Sequence, residues 1–165
     1  MPSSKKGRPS RQWAFVDSTT RTRLVPCVYR LHVVDPRDRS RFMWKPGVNG
    51  YAHDKLGIEE IGQTNDLSYI IGCLDGGARR MFTGHWQRIH VLVEGRPERS
   101  DEGRFEPHLL RVSFVRIGRR RSTRLRAWQI ALTEYYLVTG YLPMNNLRDT
   151  RYLLWNVIAL REALG

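Results

Sequence analysis

The densest run of one charge in the sequence lies at positions 111–126, which hold seven arginines and no acidic residue. A guanidinium binds phosphate through two parallel N–H donors. The run leads into a predicted helix whose first turn would be capped by Ser122 or Thr123, and a helix N-terminus carries positive potential and free N–H groups. Cations there destabilise a helix unless an anion binds. The pattern predicts binding of nucleic-acid backbone phosphates by Arg116, Arg119, Arg120, Arg121, Arg124 and Arg126.

An acidic segment offers an alternative explanation for the arginine run. Positions 54–75 hold five acids against Lys55 alone. Ordinary ion pairs between the two segments would leave a solvated basic loop without a ligand. The acids concerned are Asp54, Glu59, Glu60, Asp66 and Asp75.

The charge of the whole chain also favours a polyanionic partner. The sequence contains 28 Lys and Arg against 16 Asp and Glu, a formal net charge of +12. Such an excess is typical of nucleic-acid-binding proteins. Residues 1–12 are basic and almost free of apolar side chains, so we expect a disordered arm ahead of a single domain at 13–165. The arm would add nonspecific affinity through Lys5, Lys6, Arg8 and Arg11.

A second group of cations falls in residues 35–53, which are rich in turn formers and read as a long loop. Trp44 could stack on a base while Arg39, Arg41 and Lys45 contact phosphates, as in single-strand binders. Alternatively, Trp44 anchors the loop to the core together with its apolar neighbours Phe42 and Met43.

Two carboxylates suggest a metal-dependent nuclease as an alternative function. Asp75 and Glu94-x-Arg96 resemble in spacing the arrangement in which two acids hold Mg²⁺ and a lysine assists the attacking water. Here Arg96 stands in place of that lysine, and a guanidinium cannot act as a base. Under this alternative Mg²⁺ is the cofactor and Asp75 and Glu94 are the metal ligands; otherwise we expect no cofactor and no metal.

Two further catalytic patterns are weaker. A nicking enzyme would combine His85 and His90 with Tyr135 and Tyr136, but on a strand the two histidines would point to opposite faces. A hydrolase triad would combine Ser113 and His108, but no glycine-flanked turn surrounds a serine. We therefore assign no catalytic residue.

Alternating apolar residues predict the strands that would position these groups. The first is a half-buried strand from Cys27, with Arg30 and His32 on its polar side. Segments 85–94 and 108–117 predict an antiparallel hairpin. Short helices are predicted at 54–61 and 65–74, the second capped by Asn65 or Thr64 and stopped by Gly76 and Gly77.

Helical spacing dominates the last third of the chain. Leu125, Trp128, Leu132 and Tyr135 predict a helix that ends at Gly140, and an apolar stripe over 153–164 predicts another after Pro143. The predicted fold is α+β, with a small antiparallel sheet of about three strands packed against two long C-terminal helices.

These patterns favour a nonenzymatic DNA- or RNA-binding protein. The alternatives are the nuclease or nicking enzyme and a protein-interaction subunit of a nucleoprotein complex that docks other protein subunits through its C-terminal helices. Cys27 and Cys73 are the only cysteines, which argues against a disulfide framework. Without a secretory signal or a membrane-spanning stretch, we expect a cytoplasmic protein with no membrane partner.

Overall fold

The computed structural model describes residues 12–74, 78–81, 85–96 and 108–155. The expected basic arm, with Lys5, Lys6, Arg8 and Arg11, therefore lies outside the described residues, as do Asp75 and the C-terminal stretch 156–165. The elements in chain order are β1 (Ala14–Phe15), β2 (Cys27–Asp35), β3 (Asp38–Phe42), β4 (Ile58–Thr64), α1 (Leu67–Leu74), β5 (Ala78–Met81), β6 (His85–Val91), β7 (His108–Arg116), α2 (Arg121–Thr139) and a 3₁₀ helix (Met144–Tyr152).

Strands β2 and β7 form the centre of one sheet of seven strands. They pair antiparallel over seven residues, from Cys27 opposite Arg116 to Val33 opposite Leu110. The other edge of β2 pairs with β4 and then with β3, while β7 also pairs with β1 and β6, and β6 pairs with β5. Both central strands consequently have neighbours on each side.

Each face of the sheet carries a hydrophobic core. On one face, Leu31 and Val33 pack with Leu67 and Leu74 of α1. On the other, Val28 and Ile61 pack with α2 residues, among them Leu132. The alternation in β2 is confirmed, but its polar positions are not open to solvent: His32 is buried beside the rings of Phe15 and Phe42, and Arg30 is half-buried against Trp13.

The predicted fold is wrong in the size of its sheet and in its helices. The sheet has seven strands rather than three, and β6 and β7 pair in parallel, so they are not the two arms of an antiparallel hairpin. Residues 58–64 form β4 where a short helix was predicted, because Ile58 and Ile61 enter the sheet core. Part of the expected loop 35–53 forms β3, whose tight turn brings Asp35 opposite Asp38.

Only one long helix is present in the part of the chain that the structure describes. Helix α2 ends as predicted at Gly140, which adopts the left-handed conformation that glycine favours, with φ 77°. Residues 144–152 form a 3₁₀ helix instead of the second long helix, and most of the predicted 153–164 stripe lies outside the described residues. Among the described helices, none has the length and apolar content needed to cross a bilayer.

Candidate nucleic-acid interface

The end of β7 and the start of α2 bring several arginines to one region of the surface. Arg116 is the last residue of β7, and a four-residue connection carries the chain into α2 at Arg121. The side chains of Arg116, Arg119, Arg120, Arg121 and Arg126 are all exposed.

A further arginine, Arg21, joins this region from the loop after β1. Arg21 and Arg116 line the same open groove of about 610 Å³, together with Thr19 and Thr20, whose hydroxyls donate to Asp17 Oδ1. Sequence reasoning missed Arg21, because it is distant in sequence from the arginine run and only the pairing of β1 with β7 brings its loop to Arg116. We define the basic surface as Arg21, Arg116, Arg119, Arg120, Arg121 and Arg126.

The start of α2 lacks the cap that the sequence predicted. The helix begins at Arg121 with Arg120 as its N-cap, no side chain caps it, and its first turn holds no acid. Ser122 and Thr123 lie inside the first turn, where with Arg126 they line a second groove of about 420 Å³. The positive end of the helix dipole therefore coincides with the basic surface.

Arg124 differs from the other arginines of the run. It is buried, its Nε donates to Gln63 Oε1 at 3.1 Å, and its Nη1 donates to the carbonyl of Arg119. These bonds tie the start of α2 to β4 and to the preceding loop. We therefore leave Arg124 out of the basic surface, although the sequence grouped it with Arg116, Arg119, Arg120, Arg121 and Arg126.

The acidic segment 54–75 does not neutralise these arginines in the described structure. No arginine of the basic surface has a described carboxylate within 4 Å. Asp54 accepts hydrogen bonds from Tyr135 and two backbone amides, and Glu59 pairs with Lys45. Asp66 caps α1 in place of the predicted Asn65 or Thr64, by accepting the backbone N–H of Ser68 at 3.0 Å.

The predicted second group of cations is divided by the structure. Trp44 is 58% exposed and lies 5.3 Å from His53 between ring centroids, so it does not anchor the loop to the core. Lys45 is partly buried and forms an ion pair, with its Nζ 2.7 Å from Glu59 Oε2. Arg39 and Arg41 are exposed on β3, where Arg41 pairs with Asp38.

The proposed metal ligands are not brought together by the described residues. Asp75 lies outside them, and Glu94 is exposed at the end of a short bridge to Asp17. Across residues 12–74, 78–81, 85–96 and 108–155, no group of three or more potential metal-ligating His, Cys, Asp or Glu side chains is found.

Tyr135, the nucleophile considered for a nicking enzyme, is buried. Its hydroxyl donates to Asp54 Oδ2 at 2.7 Å. Burial raises its pKa far above the usual value, with Tyr141 and Asp54 adding to the effect. A tyrosine so held is a structural donor and not an accessible nucleophile.

Ser113 has a histidine partner that the sequence did not suggest. His32 Nδ1 donates to the carbonyl of Leu56 at 2.8 Å, so Nε2 accepts the Ser113 hydroxyl at 2.6 Å when the ring is neutral. Burial, together with the charge of Arg30, lowers the pKa of His32 to about 3. Both residues have no exposed surface, so no substrate reaches this serine.

The described end of the chain carries exposed apolar side chains. Met144 and Leu147 on the 3₁₀ helix and Trp155 after it are each at least 45% exposed. They lie in the region to which the sequence assigned protein contacts.

The comparisons with known proteins add no function: no family model, no curated protein and no solved structure matches this chain.

Proposed function

We propose that the protein binds the phosphate backbone of a nucleic acid through the basic surface. The observation that supports this proposal is the coincidence of six exposed arginines, without a described carboxylate partner, with an uncapped helix N-terminus. Neither feature stabilises the free protein, because like charges repel each other and the arginines oppose the helix dipole.

A phosphate at this position reverses the sign of both effects. Its negative charge interacts favourably with the dipole and accepts hydrogen bonds from the free N–H groups of the first turn. Each guanidinium can add two parallel N–H donors to a phosphate. A chain of phosphates engages several of these arginines at once, which a single small anion cannot do.

The groups lining the two grooves fit backbone contacts better than base recognition. The hydroxyls of Ser122 and Thr123 accompany Arg126 in one groove, whereas those of Thr19 and Thr20 in the other already donate to Asp17 Oδ1. Hydroxyl and guanidinium donors to phosphate oxygens fix the position of a protein on nucleic acid without reading its sequence. We therefore propose binding that depends little on base sequence.

A salt titration tests this function. Labelled single-stranded DNA, single-stranded RNA and duplex DNA of two unrelated sequences would be titrated by fluorescence anisotropy across a range of salt concentrations. Each phosphate contact contributes a slope of about −0.7 to −0.9 in log K against log salt, and we expect at least about four contacts. Polyglutamate serves as the control polyanion, because it carries charge without phosphate geometry.

Two results would contradict the proposal. A flat salt dependence would show that phosphates are not neutralised. Equal affinity for polyglutamate and nucleic acid at matched charge would show that the surface attracts polyanions without recognising phosphate.

A further inference from the structure

We propose that a cavity beside the C-terminal half of α2 binds a small monocarboxylate with an apolar body, through the guanidinium of Arg30. The cavity has a volume of about 280 Å³ and is lined by Trp13, Arg30 and Asp54 from the sheet side and by Ala131 and Val138, among others, from α2. It is near the lower end of the about 300–1,000 Å³ typical of small-molecule sites.

Arg30 presents a fixed donor pair to this cavity. Its Nε donates to Ser113 Oγ at 3.0 Å, and its guanidinium carbon lies 3.9 Å from the centroid of the Trp13 ring. Neither Nη atom makes a hydrogen bond to any residue in the described ranges. The guanidinium is thus held on one side by a hydroxyl and on one face by an indole, which leaves its outer N–H groups for a ligand.

Asp54, the carboxylate whose charge acts on Arg30, already accepts hydrogen bonds from other groups. Asp54 Oδ1 accepts the backbone N–H of Leu56 at 2.7 Å, and Oδ2 accepts the N–H of Ile58 at 2.9 Å and the Tyr135 hydroxyl at 2.7 Å. Asp54 raises the pKa of Arg30, but burial outweighs it and lowers that pKa to about 10. A half-buried cation without a hydrogen-bonded anion is therefore left facing a cavity that is partly open to solvent.

The other walls define the rest of the ligand. Ile58, Ile61, Ala131 and Val138 offer an apolar lining, which suits a hydrocarbon or aryl body. Asp54 and Glu134 also line the cavity and balance the charges of Arg30 and Lys55, so the lining has no excess positive charge to hold a dianion such as a phosphate monoester. One carboxylate, bound bidentately by Arg30, matches this combination.

The cavity and the basic surface share no residue. Along α2, Arg126 of the basic surface and Ala131 of the cavity lining are five positions apart, which corresponds to about 7–8 Å along the helix axis.

The test uses the full-length protein and benzoate as the probe, with benzamide as the neutral isostere. Backbone amide shifts would be followed by two-dimensional NMR during titration to millimolar concentration. We expect benzoate to shift the amides of Ala131, Val138 and Thr139 in a saturable manner, and to bind at least about ten-fold more tightly than benzamide, because a charge-assisted hydrogen bond is lost with the amide.

Variants identify the residues responsible. Arg30→Gln is expected to weaken benzoate binding at least about ten-fold, and Arg30→Lys to restore only part of it, because an ammonium lacks the planar pair of donors. Val138→Trp would fill the mouth of the cavity from an exposed position and abolish binding while Arg30 stays in place. Arg41→Gln, an exposed arginine on β3, is the matched control and should bind as the wild type does.

Three outcomes would overturn the proposal. Benzoate could leave the cavity amides unshifted, it could bind no better than benzamide, or a folded Arg30→Gln protein could keep its affinity. If Arg30→Gln does not fold, Val138→Trp decides the question, and unchanged benzoate binding in that variant contradicts the site.

Discussion

Cations occupy two contrasting environments, one at the start of α2 and one beside β4. At the helix start, Arg119, Arg120 and Arg121 are exposed and have no described carboxylate partner. Along β4, by contrast, the partly buried Lys45 forms an ion pair with Glu59, whose side chain has no exposed surface. The same residue types thus serve different ends: the buried groups hold the fold together, and the exposed ones are left for a partner.

This contrast separates two kinds of experimental result. A change in the buried group should lower the free energy of unfolding, because it leaves a polar atom without its partner. A change in the basic surface should leave the free energy of unfolding unchanged or raise it. Its effect should be a weaker affinity for nucleic acid.

The largest effect is expected from Lys45→Met. It leaves Glu59, whose side chain has no exposed surface, without its cation, and loss of one member of a buried pair costs about 3–5 kcal/mol. Burial already raises the pKa of Glu59 against the opposing effect of Lys45. A carboxyl whose pKa is raised in the folded protein stabilises the fold at pH values below its pKa in the unfolded chain, and this stabilisation is lost as the pH rises. The loss of stability caused by Lys45→Met should therefore be smaller near pH 4, where Glu59 is protonated, than near pH 7.

Urea denaturation at the two pH values measures this deficit. Lys55→Met is the matched control, since Lys55 is exposed. Equal stability of the two variants would show that the pair of Lys45 and Glu59 contributes nothing to the fold.

A smaller effect on stability is expected from His32, which makes the free energy of unfolding depend on pH. Its folded pKa of about 3 lies below the unfolded value of about 6.5, so the unfolded chain takes up the proton and stability falls as pH decreases through this window. The expected loss is about 1.4 kcal/mol per pH unit, or about 2 kcal/mol between pH 6.5 and 5.

His32→Gln should remove this part of the pH dependence, whatever its effect at neutral pH. The comparison is between the free energies of unfolding near pH 7 and near pH 5 for both proteins. His53→Gln, at an exposed histidine, should keep the wild-type dependence. An identical slope in the His32 variant and the wild type would refute the buried neutral ring.

A still smaller effect on stability is expected when Arg124 and Arg120, four residues apart, are each replaced. Arg124→Gln removes the bonds to Gln63 and to the Arg119 carbonyl and should cost about 1–2 kcal/mol. Arg120→Gln should change stability by less than about 0.5 kcal/mol, since the side chain is exposed. Thermal unfolding at low ionic strength measures both, and an equal loss would remove the distinction between buried and exposed members of the run.

The sequence predicted the elements whose spacing is regular. Strands β2 and β7 and helix α2 with its end at Gly140 are confirmed, because their apolar residues repeat with the period of the element. Strand β4 was missed, since adjacent Glu59 and Glu60 and an irregularity opposite Leu31 and His32 break its alternation. Strand β3 was missed because its residues are almost all polar and exposed.

For the site, the residue types could be read from the sequence, but the directions of their side chains could not. Arg124 could have been separated from its neighbours, because it precedes the buried Ala127 and Ala131 at helical spacing. The environment of Arg30 and His32 could not be foreseen, since polar side chains on alternate positions of a strand ordinarily face solvent. Aromatic residues distant in sequence cover them: Phe15 lies against His32, and Trp13 lies over Arg30.

The most direct test of the basic surface compares two triple variants that remove the same charge. One replaces Arg119, Arg120 and Arg121 with Gln, and the other replaces Arg37, Arg96 and Arg148, which are exposed elsewhere. For the first, we predict a loss of nucleic-acid affinity of about ten-fold or more and a salt slope smaller by about three, with stability unchanged or slightly raised. The second should keep a slope within about one of the wild type. Equal losses in the two variants, or lower stability with an unchanged slope in the first, would contradict phosphate binding at the start of α2.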